Sequence, residues 1–348
     1  MNGLRQLLQW LWAILLRVSG GLWWAKRQLR RRGAIVVLTL HRVLDEAAWR
    51  QTHSLSGMVI RRRTFESLAA YLAQRCEPVG LAEAAPGTAG RKLKVAITFD
   101  DAWSDNYTSA LPAAQAWGLP FTVFVCTGLT GCVAPFWPER VMAALRAMRP
   151  SVRETETEVL IEHLKEYAPE DRVRWMESLA HTMGAADTSS EPFEGDCTMT
   201  WEEIAGMDRA GVTFGSHTHT HPILSTLAAG PARREIRESR TALERKLGKR
   251  CDLFAYPDGG CSDEARQILE EEGFRLAFTC ERNAWTEESD PLRIPRANVC
   301  ESNVAGLGGR FSAAMFEYTT FWKVWRAMQA KERTEIPAGR RPPQRAAA

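Results

Sequence analysis

The chain has 348 residues, of which 45% are hydrophobic and 25% charged, and carries a net charge of +3. That balance belongs to a folded chain able to bury a sizeable core and argues against disorder. The small net charge, with no zinc-finger spacing and no aromatic RNA-binding signature, excludes nucleic acid as an expected partner.

The first predicted element is the stretch LRQLLQWLWAILLRVSGGLWWAKRQLRRRG. Its apolar run, Leu7 to Leu16, is stopped by Arg17. It is shorter than the about 20 apolar residues a spanning helix needs. No small-residue cleavage site follows it, and a basic cluster does, so no cleavable signal peptide is recognised. Trp10, Trp12, Trp23 and Trp24 with Lys26, Arg27, Arg30, Arg31 and Arg32 suit the headgroup layer of a bilayer. Residues 1–33 are therefore predicted to be an amphipathic segment at a membrane surface. The eight cysteines show no Cys-x-x-Cys pair and no compact framework, which predicts reduced thiols in a cytoplasmic setting. The expected location is cytoplasmic, peripheral on the inner membrane.

Six short apolar runs follow: 34–40, 94–99, 121–126, 211–216, 252–256 and 275–280. They are β-branched or aromatic and read as strands covered on both faces. Helical stretches alternate with them. One starts at Thr64, and one runs to Gly118 with Pro112 in its first turns or at a kink. Another has Pro231 near its start and Gly248 past its end, and the last ends at Gly273. Strand–helix alternation predicts an α/β barrel-like domain over 34–310. From about 135 to 196 the alternation lapses into helices and a loop, predicted to be a helical insertion or lid; His163 and His181 there read as surface residues. Residues 311–348 are predicted as an amphipathic helix and a disordered tail.

Polar residues cluster at the ends of the strands. His41 ends the first run, Asp100 and Asp101 the second, His217 the fourth, and Pro257 and Asp258 the fifth. In a barrel the loops after the strands converge on one face, where active sites form. The stretch GSHTHTHPIL offers three histidines. On a strand His217, His219 and His221 share a face, whereas on a helical turn only His217 and His221 do. Two histidines and a carboxylate with an open position suit Zn²⁺ or another first-row ion that activates water.

Three segments in order, TFDDAWSDNY, SHTHTHPIL and FAYPDGG, resemble the motifs of the NodB-homology polysaccharide deacetylases, carbohydrate esterase family 4. The resemblance spans roughly residues 34–300. It implies a distorted, incomplete (β/α) barrel and metal-dependent hydrolysis of an N-acetylated sugar. Most members carry a catalytic histidine near the C-terminus, and this chain has none after His221. TLHRVLDE instead is similar to the first strand of the circularly permuted branch, which includes poly-N-acetylglucosamine deacetylases. The resemblance then implies that Asp101, His217 and His221 bind the divalent metal, zinc by expectation, and that His219 does not. It makes Asp100 the general base, Arg296 its support, His41 the acid that protonates the departing amine, and the backbone N–H of Asp258 an oxyanion donor.

Three positions depart from the family pattern. Ala102 replaces a glycine, Ala255 stands where many members have arginine, and Asp258 replaces a tyrosine. The expected substrate is an acetamido sugar of a polysaccharide or of a lipid-linked cell-envelope glycan. A deformylase or deacetylase of a polyprenyl-linked sugar, and a non-catalytic saccharide- or membrane-binding module, are the alternatives.

Overall fold

The computed structural model describes residues 2–132, 136–149, 151–182 and 195–335. The predicted disordered tail after Glu335 and most of the predicted loop 184–196 lie outside those residues. Seven parallel strands form the main sheet: β1 (Ile35–Leu40), β2 (Lys94–Phe99), β3 (Thr122–Val125), β4 (Thr213–Ser216), β5 (Leu253–Ala255), β6 (Leu276–Phe278) and β7 (Ala297–Asn298). Their order is β7-β1-β2-β3-β4-β5-β6, and Glu77–Pro78 adds a short eighth strand to β2. A single parallel bridge from Phe278 to Ile294 leads from β6 toward β7, so the sheet curls into a distorted, incomplete (β/α) barrel.

Two apolar layers hold the curl. Alternate residues of a strand face opposite sides. Val36, Leu38 and Leu40 pack outward beneath the helices, and Ile35 and Val37 point into the barrel with Ala96, Phe124, Phe278 and Trp285. Gly215 in β4 is required by this closeness: a Cβ there would sit 2.6 Å from the Phe124 ring and 2.9 Å from the Leu253 carbonyl. The helix Arg62–Arg75 buries Phe65, Leu68, Ala69 and Leu72 on one stripe, each contributing about 1–3 kcal/mol according to size. It begins two residues before Thr64, where the chain turns out of the short strand Val59–Arg61, which pairs with Arg42–Leu44. That small parallel pair has no long apolar run, and the sequence pattern misses it. Pro112 falls in the first turn of Leu111–Gln115, behind a π-helical stretch, Asn106–Ala110.

The first and last described helices pack on the barrel. The helices Asn2–Val18 and Gly21–Arg31 run along the C-terminal helices Ala313–Glu317 and Lys323–Glu335. Leu29 belongs to the main core, Ala13 packs on Ala314 and Met315, and Trp24 meets Trp325 at 4.6 Å. The basic cluster is partly spent inside the protein. Lys26 donates to the Arg75 carbonyl at 2.8 Å, Arg30 to the Arg91 carbonyl at 2.9 Å, and Arg32 pairs with Glu332. The outer face stays apolar, with Leu4, Leu8, Leu11, Trp12, Leu15, Val18 and Trp23 exposed. No helix among the described residues is long and apolar enough to cross a membrane. The cysteines form no disulfide.

Among its described residues the predicted insertion holds three helices, Trp137–Met148, Glu154–Lys165 and Pro169–Thr182. Val141, Ile161, Leu164 and Met176 form a small core of their own. By Thr198 the chain is back on the barrel, paired with Trp103.

Candidate active site

Parallel register brings the strand-end residues together. β1 and β2 pair Leu40 with Phe99, and the Asp100 N–H donates to the Leu40 carbonyl at 3.0 Å, so His41 and Asp100 emerge side by side. β3 and β4 pair Val125 with Ser216, and the His217 N–H donates to the Val125 carbonyl at 3.0 Å, so Cys126 and His217 emerge together. After Phe99 the chain turns sharply. Asp101 and Ala102 have φ of 74° and 59°, values that disfavour side chains bearing a Cβ. Asp100 and Asp101 are 2% and 3% exposed, so the turn sends both carboxylates inward rather than to opposite faces.

His217 and His221 share a site for a different reason from the helical turn considered above. Residues 217–221 are irregular, with φ of 67° at Thr218 and 62° at His221. The Thr218 hydroxyl accepts from the His221 N–H at 3.0 Å and pins the reversal. The Nε2 atoms of His217 and His221 lie 3.5 and 3.4 Å from Asp101 Oδ1. His219 faces away, with Nδ1 3.0 Å from the Thr127 hydroxyl. His163, in the insertion, is exposed as its sequence setting suggested.

The donor set fits a divalent cation. Asp101 Oδ1 is buried and has no hydrogen-bond partner, while Oδ2 accepts from the Trp103 indole N–H at 3.1 Å. His217 Nδ1 sits 2.8 Å from the Ala255 carbonyl, which fixes the tautomer and leaves Nε2 its lone pair. His217 Nε2, His221 Nε2 and Asp101 Oδ1 thus converge on one another. Burial, then the Asp100 charge, pushes Asp101 well above the usual carboxylate range. Burial lowers His217, and burial with the neighbouring His217 lowers His221 far more. A cation would relieve all three. Cys126 Sγ also lies within 4.8 Å of these ligand atoms; its thiol donates to the His217 carbonyl at 3.3 Å, and burial holds it protonated.

Beside this cluster Arg296 grips Asp100 with two hydrogen bonds of 2.7 Å, while its Nε donates to the Thr279 carbonyl at 3.0 Å. Burial alone would raise Asp100, but the Arg296 charge holds it well below its ordinary range. His41 is held by its backbone, whose carbonyl accepts from Asn106 at 2.8 Å, and its Nδ1 is buried without a partner. Burial outweighs the attraction of Asp100 and lowers His41 to about 4. Burial thus favours the neutral imidazole of His41 in the metal-free site. Asp258, at φ 57°, turns its side chain to Lys165 of the insertion at 2.6 Å, and its carboxylate stands apart from the metal-type cluster.

Sequence reasoning missed several residues. Cys126 ends β3 as His217 ends β4, and the strand-end rule marks it. Arg42 follows His41, is fully buried, and stacks over Trp103 at 4.2 Å while bonding Asp105, Asp196, Thr52 and Ser54. It thereby backs the indole that holds Asp101. Phe136 meets the His221 ring at 5.0 Å and Trp103 at 5.1 Å. Glu139, bonded to Ser54 at 3.0 Å, is buried near Asp101, and burial pushes it up to about 7. No periodicity marks these contacts.

Known proteins share this architecture. A family profile described as polysaccharide deacetylase matches residues 88–277, leaving His41 and Arg296 outside the match. YxkH of Bacillus subtilis (strain 168), a polysaccharide deacetylase by name, is 19% identical over 221 residues, 64% of this chain. The chain spans 57% of that relative's length. Among solved structures, the deacetylase PplD of Streptococcus pyogenes, in complex with acetate, has a TM-score of 0.54 at 18% identity. The match covers 78% of this chain and 94% of that one. IcaB from Ammonifex degensii has a TM-score of 0.51 at 23% identity, covering 77% of this chain and 92% of that one.

Proposed function

We propose that this chain, which belongs to the polysaccharide deacetylase family, is a metal-dependent hydrolase that removes the N-acetyl group from an amino sugar of a glycan. The observation that carries the reading is the convergence of His217 Nε2 and His221 Nε2 on the unpartnered Oδ1 of Asp101, beside the Asp100–Arg296 pair.

Asp101, His217 and His221 would hold the ion, which when bound supplies Lewis-acid polarisation of the amide carbonyl and makes water more acidic. Trp103 and the Ala255 carbonyl keep two of those ligands oriented. Asp100 takes the proton of the attacking water. Arg296 keeps Asp100 ionised and fixes its direction, at the expense of basicity. His41, next to Asp100 by strand register, delivers a proton to the departing amine. The proton that His41 passes to the amine is the one Asp100 took from the attacking water, so both groups return to their starting state. The backbone N–H of Asp258 is the remaining oxyanion donor in this reading. The same arrangement would cleave a formamide.

A second element of the reading is a membrane surface. Leu8, Leu11, Trp12, Leu15 and Trp23 on the outer face of the N-terminal helices are exposed, which supports a lipid-linked glycan presented at a bilayer. Since Leu22, Ala25 and Leu29 are buried in the fold, cutting the chain at Gly33 would disturb it. Substitution of the outer face is the usable test. Leu11→Glu with Trp12→Glu should abolish pelleting with anionic vesicles and leave hydrolysis of a soluble substrate intact.

The activity is tested by acetate release from N-acetylglucosamine oligomers. A chelator should stop it and Zn²⁺ should restore it. Release that continues in the chelated protein would refute the metal-dependent reading.

A further inference from the structure

One arginine of the helical cap makes no ion pair among the described residues. Arg172, on Pro169–Thr182, is 5% exposed, and its Nη1 is shielded from solvent and donates to nothing. Among the described residues no carboxylate is in ion-pair contact with it, and the Glu170 charge only partly offsets its burial. Other cations here are paired directly: Lys165 with Glu162 and Asp258, and Arg42 with Asp105 and Asp196. A buried charge without a direct counter-ion is unfavourable.

Its position gives that charge a use. The Arg172 guanidinium lies over the Trp137 ring at 5.1 Å. Trp137 follows Phe136, whose ring meets that of His221 at 5.0 Å. The Arg172 charge is also among those felt at His221. The guanidinium thus belongs to the wall where the cap meets the candidate metal cluster. The indole face holds the guanidinium in place, and a planar fork of N–H donors matches the oxygens of a phosphate or a carboxylate. Glu139, the buried acid of the neighbouring helix, spends one oxygen on the Ser54 hydroxyl and does not bond Arg172.

We propose that Arg172 recognises an oxyanionic group, a phosphate ester or a carboxylate, carried by the glycan whose amide faces Asp101, His217 and His221. The inference rests on the deacetylase reading above and narrows its substrate class to anionic acetamido sugars. Such a substrate would be supplied by a reaction that attaches the sugar through phosphate, or by one that places a uronic acid beside it.

The test compares ligands that differ only in charge, using the full-length, metal-loaded protein. N-acetylglucosamine 1-phosphate and a disaccharide of a uronic acid and an acetamido sugar are set against the neutral methyl glycoside and the neutral disaccharide. Calorimetry reads binding, and acetate release reads kcat/KM. The native protein should favour at least one anionic ligand by about tenfold or more, the scale of one charge-assisted contact. The phosphate and carboxylate arms tell which group is read. Arg172→Gln should bring the ratio of anionic to neutral ligand near one, and Arg172→Lys should keep part of it. Equal binding of charged and neutral ligands by the native protein overturns the proposal without any variant. A preference that persists in Arg172→Gln also overturns it, because the anion would then sit elsewhere, on the metal for example. If the native protein binds the anionic sugars selectively through Arg172 but releases acetate from none, the deacetylase reading fails and the anion site stands.

Discussion

His41, Asp100 and His217 are placed by backbone, whereas Phe136, Lys165 and Arg172 are placed by side chains, and the two groups meet at His221 and Asp258. On the barrel, parallel pairing of Leu40 with Phe99 and of Val125 with Ser216 dictates which residues emerge together. On the cap, position depends on contacts such as Phe136 on His221, Lys165 on Asp258 and Glu139 on Ser54. A surface fixed by strand register keeps its geometry when the ligand is absent. A surface fixed by one ring contact and one ion pair can differ in its substrate without disturbing the reacting groups. This division suggests that chemistry resides in the strand ends and selectivity in the cap.

The largest effects should come from breaking the strand-end set. Asp100→Asn and His41→Ala should each lower turnover by about 10²–10⁴-fold, the range for general acid–base groups, while metal content is unchanged. Single-turnover acetate release with elemental analysis checks this. A fully active His41→Ala protein would remove the histidine from the mechanism, a result of weight because His41 lies outside residues 88–277.

Acid should act on the same region in the metal-free protein. His41 is lowered to about 4 from 6.5, and His217 and His221 are lowered as well. Between those values these histidines bind more protons in the unfolded chain than in the folded one, so their contribution to stability falls as pH drops from 6.5 toward 4. Asp101, Glu139 and Asp105, shifted the other way, oppose the fall. Removing the His41 contribution isolates it: urea midpoints of His41→Ala should fall less, or rise more, across that window than those of the native protein.

Smaller effects separate strain from docking. Ala102 holds φ at 59°, so Ala102→Gly should raise stability by about 0.5–1 kcal/mol, less than the full left-handed penalty because glycine loses more entropy on folding. A urea midpoint that falls instead would show that the turn carries no strain. Lys165→Ala removes a pair whose side chains are 23% and 41% exposed. It should change global stability by less than about 1 kcal/mol yet speed amide exchange in residues 154–182, with exchange around His41 and Asp100 unaltered.

The same division explains what the sequence made legible. Long β-branched runs announce buried strands, and the residue after each run marks the candidate face, which is how His41, Asp100, Asp101 and His217 could be gathered from three distant places. One-turn spacing allowed His221 beside His217, and the family motif set His219 aside; the actual approach, through left-handed φ at Thr218 and at His221 itself, is one that spacing does not reveal. Cys126 obeys the strand-end rule but does not stand out in the sequence, because an apolar run ending in cysteine is ordinary. Arg42 and Trp103 were hidden for another reason: their roles arise from stacking between elements far apart in the chain. The N-terminal helices showed their amphipathic pattern, but which face would meet the barrel depended on partners near residues 314–325.

The central claim is that Asp101, His217 and His221 form one metal site and His219 does not. Calorimetric titration of Zn²⁺ into the metal-free protein tests it most directly. One ion per chain should bind to the native protein and to His219→Ala, and none with comparable affinity to Asp101→Asn, His217→Ala or His221→Ala. Loss of zinc in His219→Ala, or its retention in Asp101→Asn and His221→Ala alike, would contradict the account.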